Sequence, residues 1–245
     1  MMSLRLALCL FHLLCCLSLS ANLSLRTNMQ MAKKGDFLVA AQNKNFTLLH
    51  IYDKQNDTLI IEEITVPLAR MAQRYSSWRE WVRLGAPYHT SWILYAIKLS
   101  TGEIEDGFSV SQNGWLKFSR NDTFLPTLLN LQLAPILTQD RRKIGPPPNT
   151  GAPDWRKLWQ PKMVVDGKTI PGVAFTAWRT RWPKDDSELS GKIIELYLPE
   201  ETNKYPGYFP YWLQIRGSVA GKATVHIIES GAGLVSPAPP MPQRK

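Results

Sequence analysis

The chain has 245 residues, a formal net charge of +9 and three cysteines. This length suits one sizeable domain or two small ones, with enough residues to bury a hydrophobic core. Cys9, Cys15 and Cys16 all lie in the first 21 residues, so the chain beyond them has no thiol for a disulfide, a thiolate metal site or a cysteine nucleophile.

The N-terminal segment 1–21 has the pattern of a secretory signal peptide. Arg5 precedes an apolar run over 6–17, and small residues follow as far as Ala21. The apolar run is shorter than the roughly 20 residues that a membrane-spanning helix needs. The sequence therefore predicts an exported protein, in a periplasm or at a cell surface, that is not transmembrane after cleavage. The pattern leaves open whether Cys16 is lipidated.

Most of the excess positive charge lies outside the central part of the chain. Beyond Arg5, five basic residues flank the body 36–235: Arg26, Lys33, Lys34, Arg244 and Lys245. The body itself keeps a net charge of only +3, which argues against nucleic acid as a partner. A lipid, a glycan or an envelope protein is the predicted class of partner.

The first half of the body alternates between strand patterns and turn residues. Residues 22–35 are predicted as a linker, and 36–235 as a single β-rich domain. Ser77 and Glu80 have the spacing of a capping box, which predicts a short helix over 78–84. A second helix is predicted over 123–133. Strands are predicted over 36–42, 46–52, 58–66, 90–99, 103–110 and 115–119.

The second half begins with a proline-rich stretch, 144–153, that is predicted as a long loop within the domain. A hairpin with an Asp-Gly turn is predicted over 163–170, and a strand over 173–182. Residues 236–245 are rich in proline and are predicted as a disordered tail.

The stretch 191–231 predicts three consecutive antiparallel strands, over 191–198, 208–216 and 222–229. The middle strand places large apolar residues on one face, and that face needs a cover. The predicted fold is therefore mainly β: an antiparallel curved sheet or open barrel with one or two short helices.

Motifs of common enzymes are missing from the sequence. There is no Walker loop, no dinucleotide fingerprint and no Gly-x-Ser-x-Gly elbow. His50, His89 and His226 do not have the spacing of zinc ligands, so no metal, cofactor or catalytic residue is predicted. His89 lies in the predicted loop 85–90, where binding residues are common, and is kept as a candidate ligand-binding residue.

Two stretches combine tryptophan with basic residues, 155–162 and 178–184. Tryptophan and arginine together can stack on rings and bind phosphate or carboxylate groups. Four residues of these stretches are the further candidates for ligand binding: Trp155, Trp159, Arg179 and Arg181.

Alternation along the predicted strand 173–182 separates its two residue types. Trp178 and Trp182 share one face, and Arg179 and Arg181 share the other. The favoured interpretation places the tryptophans in the core and leaves the arginine face to solvent. The alternative inverts the strand and makes the tryptophans a ligand platform.

Three stretches, Gly145–Met163, Thr176–Lys192 and Phe209–Gly217, resemble a group of uncharacterised exported proteins of chlamydia-type bacteria. The resemblance implies a location in the cell envelope and transfers no site residue, because those proteins have no assigned activity. A fainter likeness, to the open β-barrels of LolA-type periplasmic lipoprotein carriers, rests only on a signal peptide followed by many strands and short helices.

The leading functional hypothesis is an exported cell-envelope protein without enzymatic activity that binds an apolar or amphiphilic ligand, or a protein partner. The aromatic-rich strands and the missing catalytic motifs favour it. Two alternatives remain: an enzyme that acts on envelope glycans or lipids, and a structural or adhesive surface module.

Overall fold

The computed structural model describes residues 23–71, 75–118, 124–201, 206–218 and 221–242. The predicted signal peptide 1–21, including Cys16, lies outside the described residues.

Within these ranges the chain forms thirteen strands and four short α-helices, together with one 3₁₀ turn. The strands are β1 Phe37–Gln42, β2 Asn45–Gln55, β3 Thr58–Pro67, β4 Ser91–Lys98, β5 Ile104–Ser109, β6 Gly114–Trp115, β7 Ala134–Pro135, β8 Met163–Val165, β9 Lys168–Ile170, β10 Phe175–Arg181, β11 Ile193–Pro199, β12 Trp212–Ser218 and β13 Gly221–Gly231. The helices are α1 Leu25–Met29, α2 Leu68–Met71, α3 Trp78–Arg83 and α4 Phe124–Asn130, and the 3₁₀ turn is Thr138–Asp140. No helix in the described part of the chain is long and apolar enough to cross a membrane.

All thirteen strands belong to one sheet, which confirms the mainly β prediction. Its main path runs β6-β5-β4-β3-β2-β1-β13-β12-β11-β10-β7, and every neighbouring pair on this path is antiparallel. The hairpin β8-β9 joins β13 at the side of this path through one parallel pair. The two-residue strands β6 and β7 form the ends of the path, and the sheet is open. Strands on both sides of the loop 144–153 contribute to this one sheet.

Local turn and cap residues explain why the elements begin and end where they do. Asp166 and Gly167 both have positive φ, 50° and 75°, as the tight hairpin between β8 and β9 requires. The side chain of Ser77 accepts the N–H of Glu80 and caps α3. The predicted hairpin and the predicted first helix are therefore confirmed. The second predicted helix is α4, and two further helices, α1 and α2, were not predicted.

The core has two parts, because strand β1 is buried on both faces. Leu38 and Ala40 belong to the larger part, which also contains apolar residues of α1, α4 and strands β10–β13. Phe37 and Val39 point the other way, into a smaller part that α3 covers with Trp81 and its neighbours. Strand β1 therefore lies between the two parts of the core.

The structure differs from the linker prediction over 22–35. Residues Leu25–Met29 form helix α1, and both Leu25 and Met29 are buried in the larger core. Ser24 Oγ donates to the carbonyl of Leu129, which ties α1 to α4 at 3.0 Å. The two apolar residues of α1, Leu25 and Met29, are spaced four apart and share one helix face, in a segment whose other residues are mostly polar.

The proline-rich C-terminal residues are also packed, contrary to the prediction of a disordered tail over 236–245. We call residues 232–242 the C-terminal segment. Leu234 and Ala238 are buried in the smaller core. The Tyr52 O–H donates to the carbonyl of Ala238 at 3.0 Å, and Ser236 Oγ lies 2.5 Å from Glu62 Oε1. Residues 243–245 lie outside the described residues.

Beneath this segment lies a buried histidine–glutamate pair. His50 Nδ1 is 2.7 Å from Glu62 Oε2, and His50 Nε2 is 3.1 Å from the carbonyl oxygen of Leu234. The carbonyl can only accept, so Nε2 carries a proton. A second proton lies between Nδ1 and Glu62, because neither group could otherwise donate. The pair therefore holds the C-terminal segment and is neutral as a whole.

Candidate functional site

The sheet carries polar and aromatic side chains together on one face of strands β10–β13. Arg179, Glu195, Gln214 and Thr224 lie directly opposite one another on these four strands. A second cross-strand row, two residues along, contains Ala177, Tyr197, Trp212 and His226. Residues two apart on a strand share a face, so both rows lie on the same side of the sheet. We call this surface the site face.

Glu195 is the electrostatic centre of the site face. Its side chain is only 3% exposed, and three arginines surround it. Arg179 donates to Oε1 at 2.7 Å, and Arg216 donates to Oε2 at 2.7 Å. The guanidinium of Arg142 lies 3.6 Å from the same Oε2. Three permanent cations meet one carboxylate, so the cluster has a net charge of +2.

The arginines also determine the ionisation of Glu195. Burial alone would raise the pKa of its carboxyl group. Hydrogen bonds from Arg179 and Arg216 and the charges of both arginines outweigh that effect and lower the pKa below its usual value. Glu195 is therefore ionised at neutral pH and has no proton to give as a general acid.

An aromatic cluster lies beside the charged cluster on the site face. The rings of Trp159, Tyr197 and Trp212 meet edge to face, with centroid distances of 5.2, 5.3 and 5.5 Å. Such contacts stabilise the arrangement beyond the area they bury. The guanidinium of Arg142 lies 4.2 Å from the ring centroid of Trp212 and joins the two clusters.

Arg142 and Trp159 reach the site face from outside the four strands. They stand at the two ends of the loop 142–159, where the Trp159 N–H donates to the Arg142 carbonyl at 2.8 Å. Arg142 also donates to the Gln214 side chain. Its Nε is buried and has no hydrogen-bond partner among the described residues. A buried donor without a partner costs stability, and a water or anion that reached this atom would recover that cost.

A pocket of about 450 Å³ opens next to the aromatic cluster. Its lining includes Trp159, Lys162, Val164, Trp212, His226 and Ile228. The walls are mainly apolar and aromatic, and the polar groups among the lining residues include no carboxylate. A pocket of this size and composition can take the apolar part of a small ligand.

The structure brings two of the predicted binding residues to this place. Trp159 lines the pocket, and Arg179 holds Glu195 in the neighbouring cluster. Trp155 is 88% exposed within the loop 142–159 and is not among the described pocket-lining residues. Arg181 is exposed at the end of β10 and donates to the Gly191 carbonyl at 2.7 Å.

His89 is remote from the site face. It lies in the turn after α3, where Nδ1 is 2.8 Å from the Ala86 carbonyl and Nε2 is 3.1 Å from Ser111 Oγ. Its ring also packs edge to face against Trp92. His89 therefore contacts its own turn, the turn after β5 and strand β4, next to the smaller core.

The two faces of β10 differ from the favoured interpretation of that strand. Trp182 is buried as expected, but Trp178 is only partly buried. The arginine face is not left to solvent, because Phe175 and Ala177 on the same face are 1% and 0% exposed. Arg179 is half-exposed because it reaches from this face to Glu195, which lies in the adjacent strand.

Five members of the charged and aromatic clusters were not predicted from sequence as binding residues: Arg142, Glu195, Tyr197, Trp212 and Arg216. Each occupies an ordinary position, either at a loop end or within a strand pattern. One signal was present, since Glu195 interrupts an otherwise apolar run over 193–198. A carboxylate in a strand that is buried on both faces needs a basic partner.

A metal centre is not part of this arrangement. Across the described ranges, no three His, Cys, Asp or Glu side chains lie together in a way that could hold a metal ion. The groups of the site face instead suit an anion, because arginine binds carboxylate and phosphate oxygens through paired N–H donors.

Comparisons with known proteins agree with the fold. The 2.0 Å resolution structure of the hypothetical protein CT021 from Chlamydia trachomatis is similar over 91% of this chain and 100% of its own, with a TM-score of 0.64 and 20% sequence identity. At that identity the similarity concerns the fold alone. No curated protein matches the chain.

The family model described as CT021 protein matches residues 47–171. This range includes the loop that carries Arg142 and Trp159, and it ends before β10. The predicted kinship with chlamydial proteins is therefore confirmed, while neither comparison bears on export or on the likeness to LolA-type carriers. The chain belongs to the CT021 protein family.

Proposed function

We propose that the protein is an exported cell-envelope protein that binds an anionic amphiphile on the site face. The observation that carries this proposal is the position of an apolar, aromatic pocket beside a cluster with surplus positive charge. Export rests on the signal-peptide pattern over 1–21 and on the resemblance to exported chlamydial proteins.

The pocket suits the apolar part of the ligand. Trp159 and Trp212 supply flat apolar surface, and Val164 and Ile228 supply aliphatic surface. The edge-to-face contacts of the aromatic cluster hold both tryptophan rings before any ligand arrives. Preorganised walls strengthen binding because little conformational freedom is lost.

The polar groups at the same place select a negative charge. Lys162 lines the pocket, and Arg142 stacks on its tryptophan wall with an unpartnered Nε. No acidic residue is among the described lining residues, so a cationic head group would meet like charge there. The ligand class is therefore an apolar chain or ring with a carboxylate, phosphate or sulfate group.

The same groups make a binding protein a better interpretation than an enzyme. Glu195 is fixed in its ionised form by three arginines, and its carboxylate oxygens are occupied by those donors. General acid–base catalysis needs a group that can gain and lose a proton near neutral pH. The arginines cannot do so, and His226 is the one histidine among the described lining residues, where no described carboxylate stands beside it to complete an acid–base pair.

Titration calorimetry with two soluble amphiphiles of equal chain length tests this function. We expect decanoate to bind at least ten times more tightly than decyltrimethylammonium. Lys162→Glu should abolish that preference, and Lys168→Glu, a charge reversal at an exposed position of β9, should leave it unchanged. Trp159→Ala should weaken both amphiphiles. Equal affinities for the two amphiphiles in the wild-type protein would contradict the proposal.

A further inference from the structure

The loop 142–159 is held in shape by its own polar contacts. At its base, Lys143 and Leu158 form an antiparallel bridge, and the Ile144 N–H donates to the Lys157 carbonyl at 2.9 Å. Further out, Asp154 is 2.8 Å from Lys143 and 2.9 Å from Arg156. These contacts order a segment that contains neither a helix nor a strand of its own.

The ordered loop presents apolar side chains to water. Trp155 is 88% exposed and Ile144 is 56% exposed. Single exposed apolar residues are common on protein surfaces, but tryptophan is normally mostly buried. In this loop the contacts of Asp154 and Arg156, the two neighbours of Trp155, fix the backbone that carries the exposed indole ring.

Strand-like alternation gives the loop two sides. The ladder contacts of 157–159 place Lys157 on the same side as Trp159, whose ring lines the pocket, and Trp155 lies two residues before Lys157. The antiparallel bridge places Ile144 and Arg142 on that side as well. The exposed indole, an exposed lysine and the pocket wall therefore follow one another along the loop.

The charge of this region identifies the kind of partner. The loop 142–159 contains four basic residues and one acidic residue, Asp154, a net charge of +3. That single acid is already paired with Lys143 and Arg156. Tryptophan beside lysine and arginine is the composition that favours the boundary between lipid head groups and acyl chains.

The small size of the apolar patch distinguishes a membrane from a protein partner. A stable protein–protein interface buries at least about 1,000 Å² in total and has a closely packed apolar centre. A peripheral membrane contact needs only one or two inserted side chains and several basic residues near an anionic surface. Trp155 and Ile144 with their basic neighbours meet the second requirement.

We propose that the loop 142–159 docks the protein onto the surface of an anionic lipid bilayer, with the Trp155 indole inserted among the head groups. Docking would bring the site-face pocket to the bilayer, because Arg142 and Trp159 form both the base of the loop and part of the site. The docking surface is separate from pocket residue Lys162, so this inference stands or falls independently of the proposed function.

Vesicle flotation of the mature chain tests the inference. The vesicles are phosphatidylcholine alone, or phosphatidylcholine with about one third phosphatidylglycerol. We expect binding to the anionic vesicles that weakens with added salt. Trp155→Ala should reduce the affinity at least tenfold, and Lys157→Ala about fivefold, the effect of one basic residue near an anionic surface.

Two variants with exposed changes elsewhere serve as matched controls. Leu84→Ala removes an exposed apolar side chain next to α3, and Lys184→Ala removes an exposed charge after β10. Both should bind vesicles within twofold of the wild type. Brominated lipids should quench less tryptophan emission in Trp155→Ala than in the wild type.

Three results would overturn the inference. The first is a wild-type protein that binds neither kind of vesicle, and the second is equal binding to neutral and anionic vesicles. The third is a Trp155→Ala variant that binds like the wild type. If vesicle binding is absent but Trp155→Ala abolishes capture of a protein partner, the loop is a protein-docking element instead. In every case the decanoate affinity of Trp155→Ala is measured as well. An affinity equal to that of the wild type shows that the ligand pocket is intact and that only the docking inference has failed.

Discussion

Glu62 and Glu195 are equally buried, yet their surroundings differ in kind. Their exposures are 0% and 2%. Glu62 meets one histidine, one indole N–H and one hydroxyl, and it lies beneath the C-terminal segment. Glu195 meets three guanidinium groups that are 30%, 43% and 46% exposed. The first arrangement is closed and neutral as a pair, whereas the second is partly open to solvent and carries surplus positive charge.

This difference separates a structural use of a buried carboxylate from the ligand-binding use that we propose for the site face. Around Glu62, the donors match the acceptors, and the pair joins the sheet to the C-terminal segment. Around Glu195, there are more cationic donors than one carboxylate can satisfy, and the Arg142 Nε is left without a partner among the described residues. Surplus donors beside an apolar pocket are what an anionic ligand needs.

The largest expected loss of stability is at the buried His50–Glu62 pair. His50→Ala leaves Glu62 as a buried carboxylate without its proton partner and leaves the Leu234 carbonyl without a donor. Breaking a buried pair in this way costs about 3–5 kcal/mol. Urea unfolding should show this loss, whereas His226→Ala, at an exposed histidine, should stay within about 0.5 kcal/mol of the wild type. Equal effects at the two histidines would show that the Glu62 pair is not structural.

Glu195→Gln should cost less, about 1–2 kcal/mol, because solvent screens the half-exposed arginines that it leaves without a counterion. The folded state lowers the pKa of Glu195, so its contribution is complete above the unfolded pKa of about 4.3. That contribution is lost as pH falls through the folded pKa. The difference in unfolding free energy between the wild type and the variant should therefore be largest near pH 7 and shrink in acid. A difference that grows in acid would contradict the assignment.

Arg179 and Arg181 form a matched pair on β10. Arg179→Ala removes two hydrogen bonds to Glu195 and should cost about 1 kcal/mol. Arg181 contacts only a surface carbonyl in its described bonds, and Arg181→Ala should stay within about 0.5 kcal/mol of the wild type. Chemical denaturation of the two variants measures both values. If Arg181→Ala lost more unfolding free energy than Arg179→Ala, Glu195 would not be the centre of the charged interactions on this face.

The smallest expected effect on stability is at a third carboxylate, Glu63, which has neither a histidine nor an arginine among its described partners. Burial raises the pKa of Glu63, which accepts the Tyr95 O–H at 3.3 Å. A raised folded pKa means that ionised Glu63 destabilises the fold at high pH, and that this cost disappears as pH falls below the unfolded pKa. Glu63→Gln should therefore stabilise the protein at pH 8 and gain less at pH 5, as thermal unfolding at the two pH values would show. A gain that is larger at pH 5 would exclude this explanation.

Much of the fold could be predicted from local patterns. Turn residues such as Asp166-Gly167 mark the hairpins, and consecutive strands then pair with their neighbours. The packed termini could not be predicted in this way. Proline gives residues 236–242 the composition of a disordered tail, but Ser236 and Leu234 are held by Glu62 and His50, which are far away in sequence.

The site was predictable only in part, for a related reason. Trp159 and Arg179 are visible in the sequence as members of aromatic and basic stretches. Their convergence depends on the register of β10 with β11, which places Arg179 opposite Glu195. It also depends on the closure of the loop that brings Arg142 to Trp212. Glu195 within an apolar strand signals the need for a basic partner, but no local pattern indicates which basic residues the register and the loop bring to it.

The central claim is that the site-face pocket holds the apolar part of an anionic amphiphile. A crystal of the protein grown with decanoate brominated at the far end of its chain tests this claim directly. We predict one anomalous bromine peak inside the pocket between Trp159 and Trp212, with the carboxylate near Lys162 or the Arg142 Nε. An empty pocket, or bromine bound only elsewhere on the protein, would contradict the account.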